Sequence, residues 1–185
     1  QRAGAIPTGV TYGGTPMTML RSDSNTVIFT TIWYLVNPAS GSNHVRITYS
    51  AVPLHLQANA ISFSGVHQTS PINAQAGANA VSPGPVTANL NTTTSNTWIV
   101  DVAALRTLNS ESMAMTSMTN RVQRENSQTS ANGLRSAFSS IGPAVSSGSY
   151  AMNWTTPYLA GCTTCVWAIS SVALRESASA SNTPP

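Results

Sequence analysis

The 185 residues suffice for one all-β domain with a hydrophobic core, since 41% of them are hydrophobic and four are tryptophan. Charged residues make up only 7% of the chain, against roughly 25% in an ordinary soluble domain, so Ser, Thr, Asn and Gln must form most of its polar surface. A neutral surface of this kind suits an extracellular protein, a glycosylated one, or one that packs beside copies of itself.

The basic residues argue against a nucleic-acid partner. All eight are arginine, and only Arg121 and Arg124 lie close together in the sequence. Because phosphate contacts need a continuous basic face, we expect no nucleic-acid binding despite the net charge of +3. No stretch approaches the ~20 consecutive apolar residues of a membrane-spanning helix, so we expect no membrane span. No signal peptide opens the chain, which favours a mature or trimmed product of secretion.

Alternating runs rich in Val, Ile, Thr and aromatic residues, separated by Gly, Pro, Asn and Ser, predict strands along the chain and no convincing helix. The clearest run, Val27–Val36, is apolar on both faces and predicts a central strand. Asn37 and Pro38 end it, and a turn leads into His44–Ser50. These two runs predict a hairpin whose second strand has one solvent-facing side.

The remaining runs complete the predicted fold. They are Val10–Tyr12, Pro16–Leu20, Leu56–Ser64, Val86–Leu90, Thr97–Leu105, Ser112–Asn120, Ser149–Thr155 and Cys165–Leu174. Residues Asn126–Ser140 are predicted to form a long loop or a weak edge strand. Nine or ten short antiparallel strands predict an all-β, two-sheet sandwich of jelly-roll-like or immunoglobulin-like type. We expect this domain at residues 10–175, with flexible arms at 1–9 and 176–185.

The titratable side chains are too few and too scattered to indicate catalysis. The acids are Asp23, Asp101, Glu111, Glu125 and Glu176, and the histidines are His44, His55 and His67. Asp101 interrupts an apolar strand and is interpreted as a hydrogen-bonded strand residue, or else as an inward-facing one paired with an arginine. Asp23 lies in a turn-like sequence, where we expect it to bond local backbone amides. The histidine spacing does not place two imidazoles on one metal, so we expect no catalytic residue, metal or cofactor.

Cys162 and Cys165 lie in the sequence GCTTC, just before the last predicted strand. Three interpretations compete: a disulfide closing a tight turn, a redox CxxC motif, or half of a zinc site. A zinc site would need a second pair of ligands. A redox motif is normally followed by a helix, whereas the sequence from Val166 onward predicts a strand. A small structural disulfide is favoured, and it implies an oxidising compartment and an extracellular location.

Two further features bear on glycans. Asn91 and Asn153 each begin an Asn-x-Thr sequon, the acceptor sequence for N-glycosylation in a secreted protein. Trp154, followed by Thr155, Thr156 and Pro157, is predicted to be the most exposed tryptophan, with a face available to stack on a sugar ring. The other three lie in strong strand patterns and are expected in the core: Trp33, Trp98 and Trp167.

Six segments in this order resemble a jelly-roll-like β-sandwich module that recurs in large secreted surface proteins of bacteria, archaea and some phages. The segments are Val10–Thr18, Ile32–Ser50, Ile61–Ile72, Trp98–Ala104, Met152–Pro157 and Val166–Leu174. The elements that carry the resemblance are Tyr-Gly-Gly, Tyr-Leu-x-Asn-Pro and Phe-x-Gly-Val-x-Gln. The resemblance implies this fold and no established enzymatic activity. Members of the module open with a further apolar strand, whereas only QRAGAIPTG precedes Tyr-Gly-Gly here, so a neighbouring subunit is expected to donate a strand.

The sequence thus predicts a non-enzymatic, structural function. We expect a subunit of an extracellular assembly, such as a pilus-like filament, a sheath or a virion appendage, built from identical copies of the chain. The alternative is a carbohydrate-binding or adhesive module of a larger surface protein. The assembly subunit should bury its termini against neighbours, whereas the sugar-binding module should present an exposed aromatic platform.

Overall fold

Every regular element that the structure describes is a strand. The computed structural model describes residues 5–25, 27–81, 84–106, 113–115, 118, 120–129, 134–155 and 165–177. The strands are Pro7–Tyr12 (β1), Thr15–Pro16 (β2), Thr18–Ser24 (β3), Phe29–Tyr34 (β4), Val45–Tyr49 (β5), Ile72–Val81 (β6), Val86–Thr92 (β7), Thr97–Arg106 (β8), Ala114–Met115 (β9), Arg121–Gln128 (β10), Leu134–Val145 (β11), Gly148–Thr155 (β12) and Val166–Leu174 (β13). The predicted all-β sandwich is confirmed, with more strands than the nine or ten expected.

A five-stranded antiparallel sheet in the order β10-β11-β8-β13-β6 forms the middle of the molecule, and we call it the central sheet. Its inner strands β8 and β13 are buried along almost their whole length. Their sequences, TWIVDVAALR and VWAISSVAL, place apolar or small residues on both faces, which is typical of a strand covered on both sides.

One face of the central sheet packs on the sheet β7-β12-β9, and the buried residues between them form the main core. Alternation along β7 directs Val86, Ala88 and Leu90 into this core, and Asn89 and Asn91 outward. From β13, Ile169 and Ala173 enter it on alternate positions. These two sheets are the sandwich.

The opposite face of the central sheet is covered by the hairpin of β3 and β4. Ile28, in the hairpin turn, packs with Val166 and Ala168 of β13 and with Ala104 of β8 in a smaller cluster of buried residues. The turn is held by Asn25, whose Nδ2 donates to the carbonyl of Trp167 at 3.1 Å. The hairpin therefore adds a third layer over part of the sheet.

Residues 50–71, which follow β5, contain no strand and cross the rest of that face. At one end of the crossing, Gln57 Nε2 donates to Ser127 Oγ of β10. At the other end, the ring of Phe63 lies 5.1 Å from that of Trp98 in β8. Strands β1, β2 and β5 form a separate small sheet in the order β2-β1-β5.

Several predicted elements are wrong. Val27–Val36 is not a central strand, because β4 pairs with β3 alone among the described strands, in a two-stranded sheet. The strand after it, β5, pairs with β1 rather than β4, so the predicted hairpin does not form. Leu56–Ser64 has strand-like composition but no strand partner among the described residues. These segments do have apolar faces. An apolar face, however, does not specify which other strand the segment pairs with.

Residues Asn126–Ser140 were predicted as a loop or an edge strand, which agrees with the structure for Asn126–Gln128 and is wrong for Leu134–Ser140. Gln128 and the residues before it belong to the edge strand β10, whereas β11 begins at Leu134 and lies inside the sheet between β10 and β8. Polar residues such as Ser139 and Ser140 are tolerated there because they are small and their hydroxyls hydrogen-bond, Ser139 with Asp101 and Ser140 with Arg124. β6 was also not predicted, since Ala, Gly and Asn have low strand propensity.

Parts of both segments expected as arms are described, and these parts contact the rest of the domain. β1 begins at Pro7, inside the segment 1–9, and Ala5 before it is buried. At the other end Glu176 forms an isolated antiparallel bridge with Val66. Residues 1–4 and 178–185, which contain the rest of both expected arms, lie outside the described residues.

Candidate interaction surface

The carboxylate of Asp101 is buried in the main core between the two facing sheets. Its Oδ2 accepts hydrogen bonds from Arg121 Nη2 at 3.0 Å and from Trp154 Nε1 at 2.6 Å. Its Oδ1 accepts from the backbone amide of Ser139 at 3.0 Å and also from Ser139 Oγ. All of its lone pairs thus face donors, and the Asp101 and Arg121 side chains are both fully buried.

The same cluster joins three strands of the central sheet to β12 of the facing sheet. Arg121 Nη1 donates to the carbonyl of Asn153 at 3.0 Å, and the guanidinium lies 5.1 Å from the centre of a Trp154 ring. Burial raises the pKa of Asp101, while the charge of Arg121 and the hydrogen bonds act in the opposite direction. Burial likewise lowers the pKa of Arg121. The pairing of Asp101 with an arginine, one of the two interpretations from the sequence, is confirmed, and the pair is satisfied within the protein.

A second buried acid, Asp23, ties the β3-β4 hairpin to the central sheet. Arg21 donates to its carboxylate from Nε at 2.5 Å and from Nη2 at 2.7 Å. Ser170 Oγ of β13 donates to it at 2.6 Å and lies 2.8 Å from Thr30 Oγ1. A Cβ at Gly77 of β6 would overlap the carboxylate, so only glycine leaves room for it. The expectation that Asp23 lies in a turn and bonds local backbone amides is wrong. Strand β3 continues through Asp23, and its side chain contacts β13.

Trp154 was predicted to be exposed, and this is wrong: it is 0% exposed and lies in the main core. Strand β12 continues through Trp154 to Thr155, and the alternation of its faces places the indole inward, where Asp101 accepts from its N–H. A buried indole has no free face for a sugar ring. A stacking platform built on Trp154 is therefore inconsistent with this fold.

The remaining predicted sites are only partly described. Cys165 is buried and disulfide-bonded, and Cys162 lies outside the described residues, so the pairing of these two stays a prediction. Asn91 is exposed on the outer face of β7. Asn153 is half-buried in β12, and its side-chain Oδ1 is buried without a hydrogen-bond partner. The two sequons therefore differ in access, which their sequences did not reveal.

The histidines remain apart from the buried acids in what is described. His55 Nδ1 lies 3.1 Å from Thr129 Oγ1, and His67 Nδ1 accepts from the backbone amide of Ser70 at 3.1 Å. Within the described ranges no three His, Cys, Asp or Glu side chains gather as a metal site would require. Glu111 lies outside those ranges. The same residues contain no helix of the length and hydropathy needed to cross a membrane.

Large apolar side chains are exposed in one stretch, residues 52–61, which we call the apolar segment. Val52 is 94% exposed and Leu54 59%, and Leu56 and Ile61 are exposed as well. Val45, in the neighbouring strand β5, is also exposed. Several large exposed apolar side chains within one short stretch of chain favour contact with another molecule. From the sequence, part of this region was predicted to form a strand, Leu56–Ser64.

Some strand edges have no partner within the described ranges. Among these strands β5 pairs only with β1, and the central sheet ends in β10 on one side and β6 on the other. The backbone groups along such edges are available to a further strand. Comparison of the chain with models of protein families, with curated proteins and with solved structures found no match.

Proposed function

We propose that this chain is a structural subunit of an extracellular assembly and that it associates with copies of itself. The observation that carries the proposal is the apolar segment, whose four large side chains are exposed although other apolar residues are buried in the main core. Burying apolar surface contributes about 25 cal/mol per Å², so leaving these side chains in water is costly for an isolated subunit.

The surface chemistry supports the same function. With 7% charged residues the chain has little electrostatic repulsion between copies, and a hydroxyl and amide surface tolerates close packing. The buried polar groups Asp101 and Asp23 are occupied by structural contacts, so they stabilise the sandwich rather than serve a substrate. A carbohydrate-binding function has no comparable support, since the tryptophan on which it depended is buried.

The test is the size of the purified full chain, measured by light scattering after size exclusion and by negative-stain electron microscopy. We expect particles larger than one chain, with size rising with protein concentration. Val52→Ser combined with Leu54→Ser should reduce that size, because both side chains are exposed and contribute little to folding. Val122→Ser is the matched control, since Val122 is exposed on β10 and does not belong to the apolar segment. A single monomeric species at every concentration would overturn the proposal.

A further inference from the structure

The two edge strands of the central sheet have opposite character. β10 carries Arg124 and Glu125 and has a bulge between Gln123 and Glu125. Charges and bulges are the features by which natural edge strands avoid pairing with other chains. β6 has neither charge nor proline over its ten residues, and its register with β13 is regular from Ala74 to Val81. One edge is therefore protected against strand addition and the other is not.

The backbone groups along the outer side of β6 have no strand partner in the described part of the chain. The carbonyl of Ala76 accepts from Ser171 Oγ of β13 at 3.1 Å and so faces β13. Backbone groups alternate in direction along a strand, so those of Gln75, Gly77 and Asn79 face the open edge. An added antiparallel strand would bond to them.

The sequence of β6 is nearly palindromic about Gly77, since it runs Ala-Gln-Ala-Gly-Ala-Asn-Ala from position 74 to position 80. When two such strands pair antiparallel with Gly77 at the centre, each alanine faces an alanine of the other copy. Gln75 then faces Asn79 of the other copy, and their side-chain amides can hydrogen-bond. No charged side chains meet in this register, although each chain carries a net charge of +3.

The two faces of β6 also suit such a neighbour. Alanines at 74, 76, 78 and 80 pack against the main core but are only partly buried, and none of the described strands lies beyond β6 in the central sheet. Gln75 and Asn79 are exposed on the other face. A second β6 beside the first would bury more of the alanines and leave the amide pairs at the surface. β6 would then be an interior strand of a larger sheet.

We propose that two copies of this chain pair through β6 about a two-fold axis at Gly77, joining their central sheets into one antiparallel sheet. The inference rests on the proposed function and names one of its contacts. The occupant is a second copy rather than an unrelated strand, because the near-palindromic sequence of β6 is complementary to itself and brings no like charges together. The β6 contact alone closes a dimer, and a larger assembly needs a second contact such as the apolar segment.

The register makes the proposal testable with paired charges, by sedimentation velocity of the full chain over a range of concentrations. In the double variant Gln75→Lys with Asn79→Lys, a lysine of one copy faces a lysine of the other in both symmetric pairs. Because these like charges repel, we expect the dissociation constant of the dimer to rise at least about tenfold. In Gln75→Glu with Asn79→Lys, each glutamate faces a lysine of the other copy, and association should return to at least the wild-type level. Within one chain these positions are about 13 Å apart, too far to form an ion pair. The control is Val122→Lys with Gln123→Lys, which adds the same charge to β10.

Association of the double-lysine variant as tight as wild type would overturn the pairing, as would a monomeric wild type. A glutamate–lysine variant that is folded by circular dichroism but remains dissociated would overturn the register about Gly77. The outcomes separate this inference from the proposed function. Dimers that never extend would contradict the assembly and keep the β6 contact, whereas extended particles unaffected by the lysines would contradict only the β6 contact.

Discussion

Replacing Gly77 by alanine adds one methyl group at a position already occupied by the Asp23 carboxylate. The carboxylate must move away from Ser170 and Arg21, whose hydrogen bonds hold it. Overpacking costs about 1–3 kcal/mol and a lost charge-assisted hydrogen bond about 1.5–3 kcal/mol, whereas replacing a strand glycine restores about 0.5–1 kcal/mol. We expect Gly77→Ala to lower the free energy of unfolding by about 2–4 kcal/mol.

The assay is urea unfolding followed by tryptophan fluorescence, at one low protein concentration because association also stabilises the folded state. A double-mutant cycle with Asp23→Ala isolates the contact. In the Asp23→Ala background the new methyl meets no carboxylate, so Gly77→Ala should change the free energy of unfolding by no more than about 0.5–1 kcal/mol, in the stabilising direction. Equal losses in the two backgrounds would refute the close approach of Asp23 to Gly77.

Three further results are expected. Arg121→Met leaves the Asp101 carboxylate buried without its cation, so the free energy of unfolding should fall by about 3–5 kcal/mol in urea titrations; a loss under about 1 kcal/mol would contradict the buried pair. Since burial raises the folded-state pKa of Asp101, its stabilising contribution is complete below the unfolded-state pKa and is lost as pH rises through the folded-state pKa. The stability of wild type relative to Asp101→Asn should therefore decline as pH rises from about 4, and a rise would refute this. In a glycosylating host, peptide mass mapping should find a glycan at the exposed Asn91 and none at Asn153, whose side-chain oxygen is buried; Thr93→Ala, which removes the Asn91 sequon, is the control, and the reverse pattern would contradict the fold at both strands.

Among the strands that the sequence predicted correctly, three are rich in β-branched residues with period-two alternation. β7, β8 and β13 fall within one or two residues of the predicted runs Val86–Leu90, Thr97–Leu105 and Cys165–Leu174. Their own composition suffices, because Val, Ile and Thr favour a pleated backbone and alternation identifies the buried face. Strand β6 has no such signal, since its alanines are held in a strand by pairing with β13.

The buried site around Asp101 was likewise predicted only in part from the sequence. Sequence analysis identified Asp101 as the acid most in need of an explanation, because a charge inside an apolar strand is unusual, and it offered an arginine as partner. It had no means of identifying Arg121, which lies twenty residues away and on another strand. Nor did it place Trp154 inside, because the Thr-Thr-Pro sequence after it resembles a strand end.

By itself, the sequence determined the all-β class, the low-charge surface and the buried faces of the strongest strands, since composition and local alternation encode these directly. The tertiary structure alone decided which strands are neighbours, that Val27–Val36 lies in a covering hairpin, and that β6 ends the central sheet with an open edge. Pairing joins residues far apart in the chain, and the free energy of each pair depends on what covers both faces. The edge of β6 and the apolar segment are therefore surfaces that only the folded chain makes visible.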